Sequence, residues 1–219
     1  MALLPPAVRR LVPNRVRDDV RVRAVAVGLG LIPPRTMHSE AEARLLARLA
    51  APAQRVVEIG VYEGSSAVVL ARAMGPGTEL HLIDPFGRHP QALPAGWGAT
   101  EWASRRVVAR AAASGPAAIW HIERSEETAA AWAEPVDLVF IDGDHSHAGC
   151  ERDWRRWGPL VRPGGLVAFH DARLGQPGGR GLPGPTAVVD GHLRAGAAGA
   201  SGWEIIEELD RTVVARRHA

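Results

Sequence analysis

Five short apolar runs, each stopping at a polar group, govern what this chain can fold into: QRVVEIG (54–60), TELHLID (78–84), AAIWHIE (117–123), VDLVFID (136–142) and GLVAFHD (165–171). Runs of this length suit buried strands. The stretches between them keep helical periodicity, with Cys150, Trp154 and Trp157 falling on one face. Strand and helix in alternation mean βαβ units and a parallel sheet. The end breaks the rhythm, because WEIIEELDRTVVARR (203–217) holds two strand-like runs around Asp210 and Arg211, too close for a helical crossover. A hairpin there adds an antiparallel strand to an α/β domain.

Upstream, SEAEARLLARLA (39–50) reads as a helix with Ser39 as N-cap and Glu42 completing a capping box. Residues 1–36 form an N-terminal arm ahead of a domain spanning 37–219. Val8, Leu11, Val12, Val16, Val20 and Val27 suit an amphipathic helix, while VRVRAVAV (20–27) alternates like a strand; helix is the expectation. Two Gly/Pro-rich loops, 84–98 and 173–186, follow the carboxyl ends of strands, where open α/β sheets bind ligands.

A chain of 219 residues buries one substantial core. A net charge of +2 supplies no basic face for nucleic acid, and no apolar stretch reaches the roughly 18 residues of a membrane span. The lone Cys150 excludes an internal disulfide framework, and prolines and arginines interrupt MALLPPAVRRLVPNR where a signal sequence needs a continuous apolar core. A cytoplasmic protein is expected, with neither nucleic-acid nor membrane partners; homo-oligomers stay open.

The turn VVEIGVYEGSSAVVLARAM joins strand to helix through Gly60 and Gly64, with Ser65 and Ser66 opening the helix. The next strand ends in Asp84, about 20 residues after the turn, where a carboxylate can accept from two ribose hydroxyls. A nucleoside-containing cofactor follows. Tyr62 replaces the middle glycine that a pyrophosphate requires, and Glu58 and Glu63 would repel phosphate, which favours the cationic, phosphate-free S-adenosylmethionine over a dinucleotide.

The stretch VVEIGVYEGSSAVVLARAMGPGTELHLID resembles the first cofactor motif of class I S-adenosylmethionine-dependent methyltransferases. Its E-x-G-x-Y-x-G turn is similar to that of metal-dependent small-molecule O-methyltransferases of the catechol type. The resemblance covers roughly residues 37–217 and implies a Rossmann-like, seven-stranded, mostly parallel sheet with an antiparallel C-terminal hairpin and helices on both faces. It also implies that Glu58, Gly60, Tyr62 and Ser66 surround the methionine part of the cofactor, with Gly64 a further cofactor-binding residue. Asp84 would bind the ribose, and Ser125 and Glu126 would lie by the adenine.

FIDGDHSHAGCERDW (140–154) is similar to the metal-dependent macrolide-sugar O-methyltransferases. The resemblance implies Asp142 as a metal ligand also bordering the cofactor and His145 as general base, a position where the catechol enzymes have lysine. This chain contains no lysine. Asp171 falls on the second ligand position and His170 beside it is a third candidate. Ala172 stands where the catechol group has Asn, and His170 where the sugar enzymes have an acid. One anionic ligand is thereby lost, so magnesium, the expected ion, has manganese, zinc or no metal as alternatives.

Asp144, Ser146 and His147 are assigned to capping the next helix, and Trp154 and Trp157 to the core. His89, Trp97 and Trp102 could cover a flat substrate or anchor their loop. The expected function is methyl transfer to a hydroxyl of a small molecule, a natural-product sugar or a phenol. The alternatives are a non-catalytic or metal-independent S-adenosylmethionine-binding protein and a nicotinamide-dependent dehydrogenase.

Overall fold

The computed structural model describes residues 19–87, 97–195 and 202–219; His89, most of the 84–98 loop and the first 18 residues of the arm lie outside them. The elements run α1 (Val20–Gly28), α2 (Glu40–Ala50), β1 (Arg55–Ile59), α3 (Ser65–Ala73), β2 (Glu79–Ile83), α4 (Trp97–Ala111), β3 (Ala117–His121), α5 (Ser125–Ala130), β4 (Val136–Ile141), α6 (His147–Trp157), β5 (Val161–Phe169), α7 (Pro183–Val189), β6 (Trp203–Leu209) and β7 (Thr212–Arg217).

The seven strands among the described residues join one sheet in the order β3-β2-β1-β4-β5-β7-β6, parallel up to β5 and antiparallel through β7 and β6. β5 begins four residues earlier than its apolar run, because Val161 pairs with Val136 before the register shifts across Pro163, Gly164 and Gly165.

Strand parity explains the two cores. Val56, Leu80, Leu138, Phe140 and Ala168 face one way and meet α1 to α4; Val57, Val139, Val167 and Phe169 face the other way and meet Cys150, Trp154, Trp157 and the α7 valines. The two tryptophans are therefore core, as their helical spacing implies.

Asp19 caps α1, and Ala24 and Val27 are buried in the first core. The arm residues from 19 onward thus share the core of the sheet. Arg106 and Arg110 both donate to the Gly28 carbonyl, and Trp102 packs on Gly28. Trp102 thus packs α4 against α1. The α2 capping box is present in both directions.

Candidate active site

The first turn is built around close backbone approach. Gly60 has φ +89°, and a Cβ on it would overlap the Asp142 carbonyl at the tip of the neighbouring strand. Gly60→Ala is expected to cost about 3 kcal/mol or more, through strain and displacement of β4; a urea titration showing a loss below about 1 kcal/mol would contradict this.

Asp84 braces the same turn. Its Oδ2 accepts the backbone N–H groups of Val61 and Tyr62, each at 2.9 Å, and its Oδ1 that of Phe86 at 2.8 Å. Burial raises its carboxyl pKa despite those three donors.

The turn opens into a cavity of about 780 Å³ at the carboxyl ends of the strands. Gly60, Tyr62, Ser66, Asp84, Ser125, Glu126, Asp142, His145, His170 and Asp171 all line it. Glu58 and Gly64 stand behind the wall. Glu58 is fully buried, accepts the Ser66 hydroxyl, and has its pKa pushed well up by burial. Gly64, at φ +85°, caps α3. Glu63 is turned towards the arm, where Arg23 holds it through two bonds of 2.9 and 2.7 Å and the Arg35 N–H donates at 2.6 Å. The carboxylates of Glu58 and Glu63 therefore do not front the cavity, and of the features that weigh against a dinucleotide, Tyr62 at the middle-glycine position is the one that stands there.

The fourth and fifth strand tips bring four polar side chains together. Phe140 pairs with Ala168, so continuing the register places Asp142 beside His170 on the same face. Asp171 would point to the opposite face in a regular strand, but φ +52° turns it back, and Arg211 holds its Oδ1 at 2.9 Å. His170 Nδ1 lies 3.0 Å from Asp142 Oδ1 and 3.6 Å from Asp171 Oδ2; His145 Nε2 lies 3.2 and 3.5 Å from the same two atoms. The neighbouring polar residues do capping work. Asp144 accepts the Ser146 N–H, Ser146 caps α6, and His147 is exposed on its first turn.

Charge polarises the cluster. Asp142 is lowered, since His145 and His170 outweigh its burial, and His145 is raised by its bond to Asp142. His170 is pushed up to about 10, because the Asp142 and Glu42 carboxylates override burial. Among the described residues His170 Nε2 has no hydrogen-bond partner; Glu42 Oε1 stands 3.8 Å away, near enough for charge attraction only.

Several wall residues carried no signal in the sequence. Arg35, Met37 and His38 arrive from the segment before α2, with His38 Nε2 3.1 Å from the Ser65 hydroxyl. Asp153 lies on α6 and accepts the Ser125 hydroxyl. Burial, reinforced by Glu126 and Asp144 against Arg152, raises Asp153 from 3.8 to about 7. A carboxylic acid whose folded pKa is raised favours the fold while protonated, so this group takes stability away as pH rises from 3.8 to 7. Asp153→Asn is expected to stabilise the protein at pH 8 relative to pH 4 by on the order of 3 kcal/mol compared with wild type. Parallel urea titrations of the two proteins at both pH values check this; equal pH slopes would contradict it.

Residues 57–172, more than half of the chain, match the model of a family described as a methyltransferase domain. The chain belongs to this methyltransferase domain family. A protein of Mycobacterium sp. (strain JLS) named "Putative O-methyltransferase" is 30% identical over 199 residues, 89% of this chain and 79% of that one. Among solved structures, the O-methyltransferase TomG of Streptomyces achromogenes, involved in tomaymycin synthesis and in complex with S-adenosylmethionine, superposes with a TM-score of 0.64. It is 21% identical and the match covers 97% of this chain and 94% of that one. An O-methyltransferase of Bacillus cereus in complex with S-adenosylhomocysteine gives a TM-score of 0.61 at 15% identity, covering 96% and 94%. The fold of this methyltransferase is that of the S-adenosylmethionine-dependent O-methyltransferases.

Proposed function

We propose that this methyltransferase moves the methyl group of S-adenosylmethionine to a hydroxyl of a small molecule, a sugar of a natural product or a phenol. A divalent ion assists, and His145 is the general base. One observation carries the reading: the side chains of Asp142, His145, His170 and Asp171 converge on the wall of the same cavity that the Gly60 turn and Asp84 line. TomG and the Bacillus cereus enzyme, with the methyl donor and its product bound, support the cofactor, and TomG's part in tomaymycin synthesis supports a small-molecule acceptor. In this reading Tyr62 and Ser66 lie by the methionine part, Asp84 takes the ribose, and Ser125 and Glu126 border the adenine.

The residues fit a divalent ion. One ligand atom from each of the four side chains lies within 4.8 Å of the others, and the buried His170 turns Nδ1 to the cluster and Nε2 towards Glu42. A carboxylate behind a ligating imidazole is the usual way of orienting one. Asp142, His170 and Asp171 would hold the ion. Imidazole donors suit zinc or manganese better than magnesium, which prefers oxygen. When bound, the ion lowers the pKa of the acceptor hydroxyl.

The chain's own residues do the rest. The cavity wall aligns acceptor oxygen, methyl carbon and sulfur, which accounts for most of what an in-line displacement needs. As the carbon–oxygen bond forms and the carbon–sulfur bond breaks, His145 takes the hydroxyl proton and S-adenosylhomocysteine leaves. The His145 side chain is 37% exposed against 2% for His170, so it is the imidazole a substrate reaches. Asp142 and Asp171 then stabilise the imidazolium.

A second reading makes His145 a fourth ligand, favoured by its Nε2 standing close to both carboxylates. Elemental analysis separates the two, since His145→Ala keeps the ion in the first reading and loses it in the second.

Incubation with S-adenosylmethionine and a panel of glycosylated and phenolic acceptors, read by mass spectrometry, tests the proposal. Addition of one methyl to a hydroxyl, with S-adenosylhomocysteine released, is expected. Tight product binding with no ion and no methylated acceptor would favour a binding protein, and calorimetric binding of NAD instead would favour a dehydrogenase.

A further inference from the structure

The two oxygens of Asp171 face different neighbours. Oδ2 turns into the cluster, 3.5 Å from His145 Nε2 and 3.6 Å from His170 Nδ1, while Oδ1 accepts from Arg211 Nη1 at 2.9 Å. A carboxylate that commits one oxygen to a guanidinium has the other left to offer an ion.

Arg211 reaches Asp171 from the turn between β6 and β7, and its backbone is fixed there on both sides. Its N–H donates to Glu42 Oε1 at 3.0 Å, its carbonyl accepts the Ala172 N–H at 2.8 Å, and the preceding Asp210 accepts the Ser39 hydroxyl at 2.6 Å. The left-handed backbone of Asp171 is held separately. Its carbonyl accepts the Leu182 N–H at 2.8 Å, and Gly181 passes so close that a Cβ there would overlap that carbonyl. The fold at this point therefore does not depend on the guanidinium. Stability does not account for the pair either, because the Arg211 side chain is 37% exposed and an ion pair that open to solvent contributes little. What the guanidinium fixes is the orientation of the carboxylate, with one oxygen turned to the cluster and the other away from it.

We propose that Arg211 is a positioning residue that makes Asp171 a one-oxygen ligand, and so selects an ion content with few protein ligands, manganese or zinc, over calcium, which gathers about six to eight oxygens and often takes a carboxylate by both. The inference rests on the reading above that Asp142, His170 and Asp171 hold a divalent ion, and it names a residue outside that set as the one that decides which ion is held.

Calorimetry with manganese chloride and with calcium chloride on wild type, Arg211→Met and Arg211→Lys tests it, with displacement of manganese as the reading where calcium binds too weakly to register directly. Methionine keeps an aliphatic stem and every backbone bond of the turn but releases Oδ1; lysine supplies a cation to take it. Removing a positive charge strengthens the binding of both divalent ions, and a slackened turn weakens both, so the ratio of the two affinities isolates the number of oxygens offered. Wild type should hold manganese at least about a hundredfold tighter than calcium. Arg211→Met should narrow that gap by about tenfold or more, and Arg211→Lys should keep most of it. If Arg211→Met shifts both affinities by the same factor, or wild type does not prefer manganese, Arg211 is an ion-pair partner only and the inference is overturned. Binding of neither ion by wild type would instead overturn the ion reading on which it rests.

Discussion

Replacing His145 with alanine is expected to lower turnover by a factor of about 10² to 10⁴, the usual contribution of a positioned general base, while the affinity for S-adenosylhomocysteine barely changes. The substitution is clean for a structural reason. His145 sits in a turn held by backbone and capping bonds, Asp144 to the Ser146 N–H at 2.9 Å and Ser146 to the Gly149 N–H at 3.0 Å, none of which uses the imidazole. The start of α7 also buttresses this turn, with Gly184 packed against the His145 carbonyl. Single-turnover kinetics on the methylated acceptor, beside calorimetry with the product, measure the two quantities separately. Unchanged turnover would remove His145 as the base.

Glu42→Gln is expected to destabilise the protein by about 2–4 kcal/mol and to weaken the cluster it supports. The Glu42 carboxylate is buried, accepts three hydrogen bonds from two ends of the chain and has the His170 imidazole nearby. The Ser39 N–H donates at 2.9 Å, the Arg211 N–H at 3.0 Å and the Thr212 hydroxyl at 2.8 Å, with His170 Nε2 at 3.8 Å. Burial alone would raise its carboxyl, but these donors outweigh it and hold the pKa at about 2. An amide offers one acceptor oxygen and turns its NH₂ towards groups that are themselves donors. Arg211 also holds Asp171, so a shift at residue 211 reaches the site directly. Equilibrium urea unfolding at pH 7 measures the loss; a change below about 1 kcal/mol would contradict this account.

The sheet was legible because each apolar run is short and bounded by polar residues, and because the hairpin linker at Asp210 and Arg211 leaves no room for a crossover. Asp142 and His170 were legible as strand-end groups, and their meeting follows from the β4–β5 register. What escaped depends on contacts between distant residues. Glu42 shows itself in the sequence as a local cap, whereas two of its partners, Arg211 and Thr212, are 169 and 170 residues away. Glu58 and Glu63 look like wall acids in a linear motif, yet strand parity sends one under α3 and Arg23 draws the other to the arm. Asp171 joins its neighbour's face only through a left-handed backbone, which a non-glycine residue does not advertise. Asp153 is one acid among several on a polar helix, and only its burial against Ser125 sets it apart.

A crystal structure with S-adenosylhomocysteine tests the central claim most directly, because it fixes where sulfur lies relative to the strand-tip cluster. The account predicts the sulfur facing the space beside Asp142 and His145, the amino-acid tail by Tyr62 and Ser66, and the base against Ser125 and Glu126. A ligand seated in the reverse sense, with its base over His145 and His170, or outside this cavity, would contradict it.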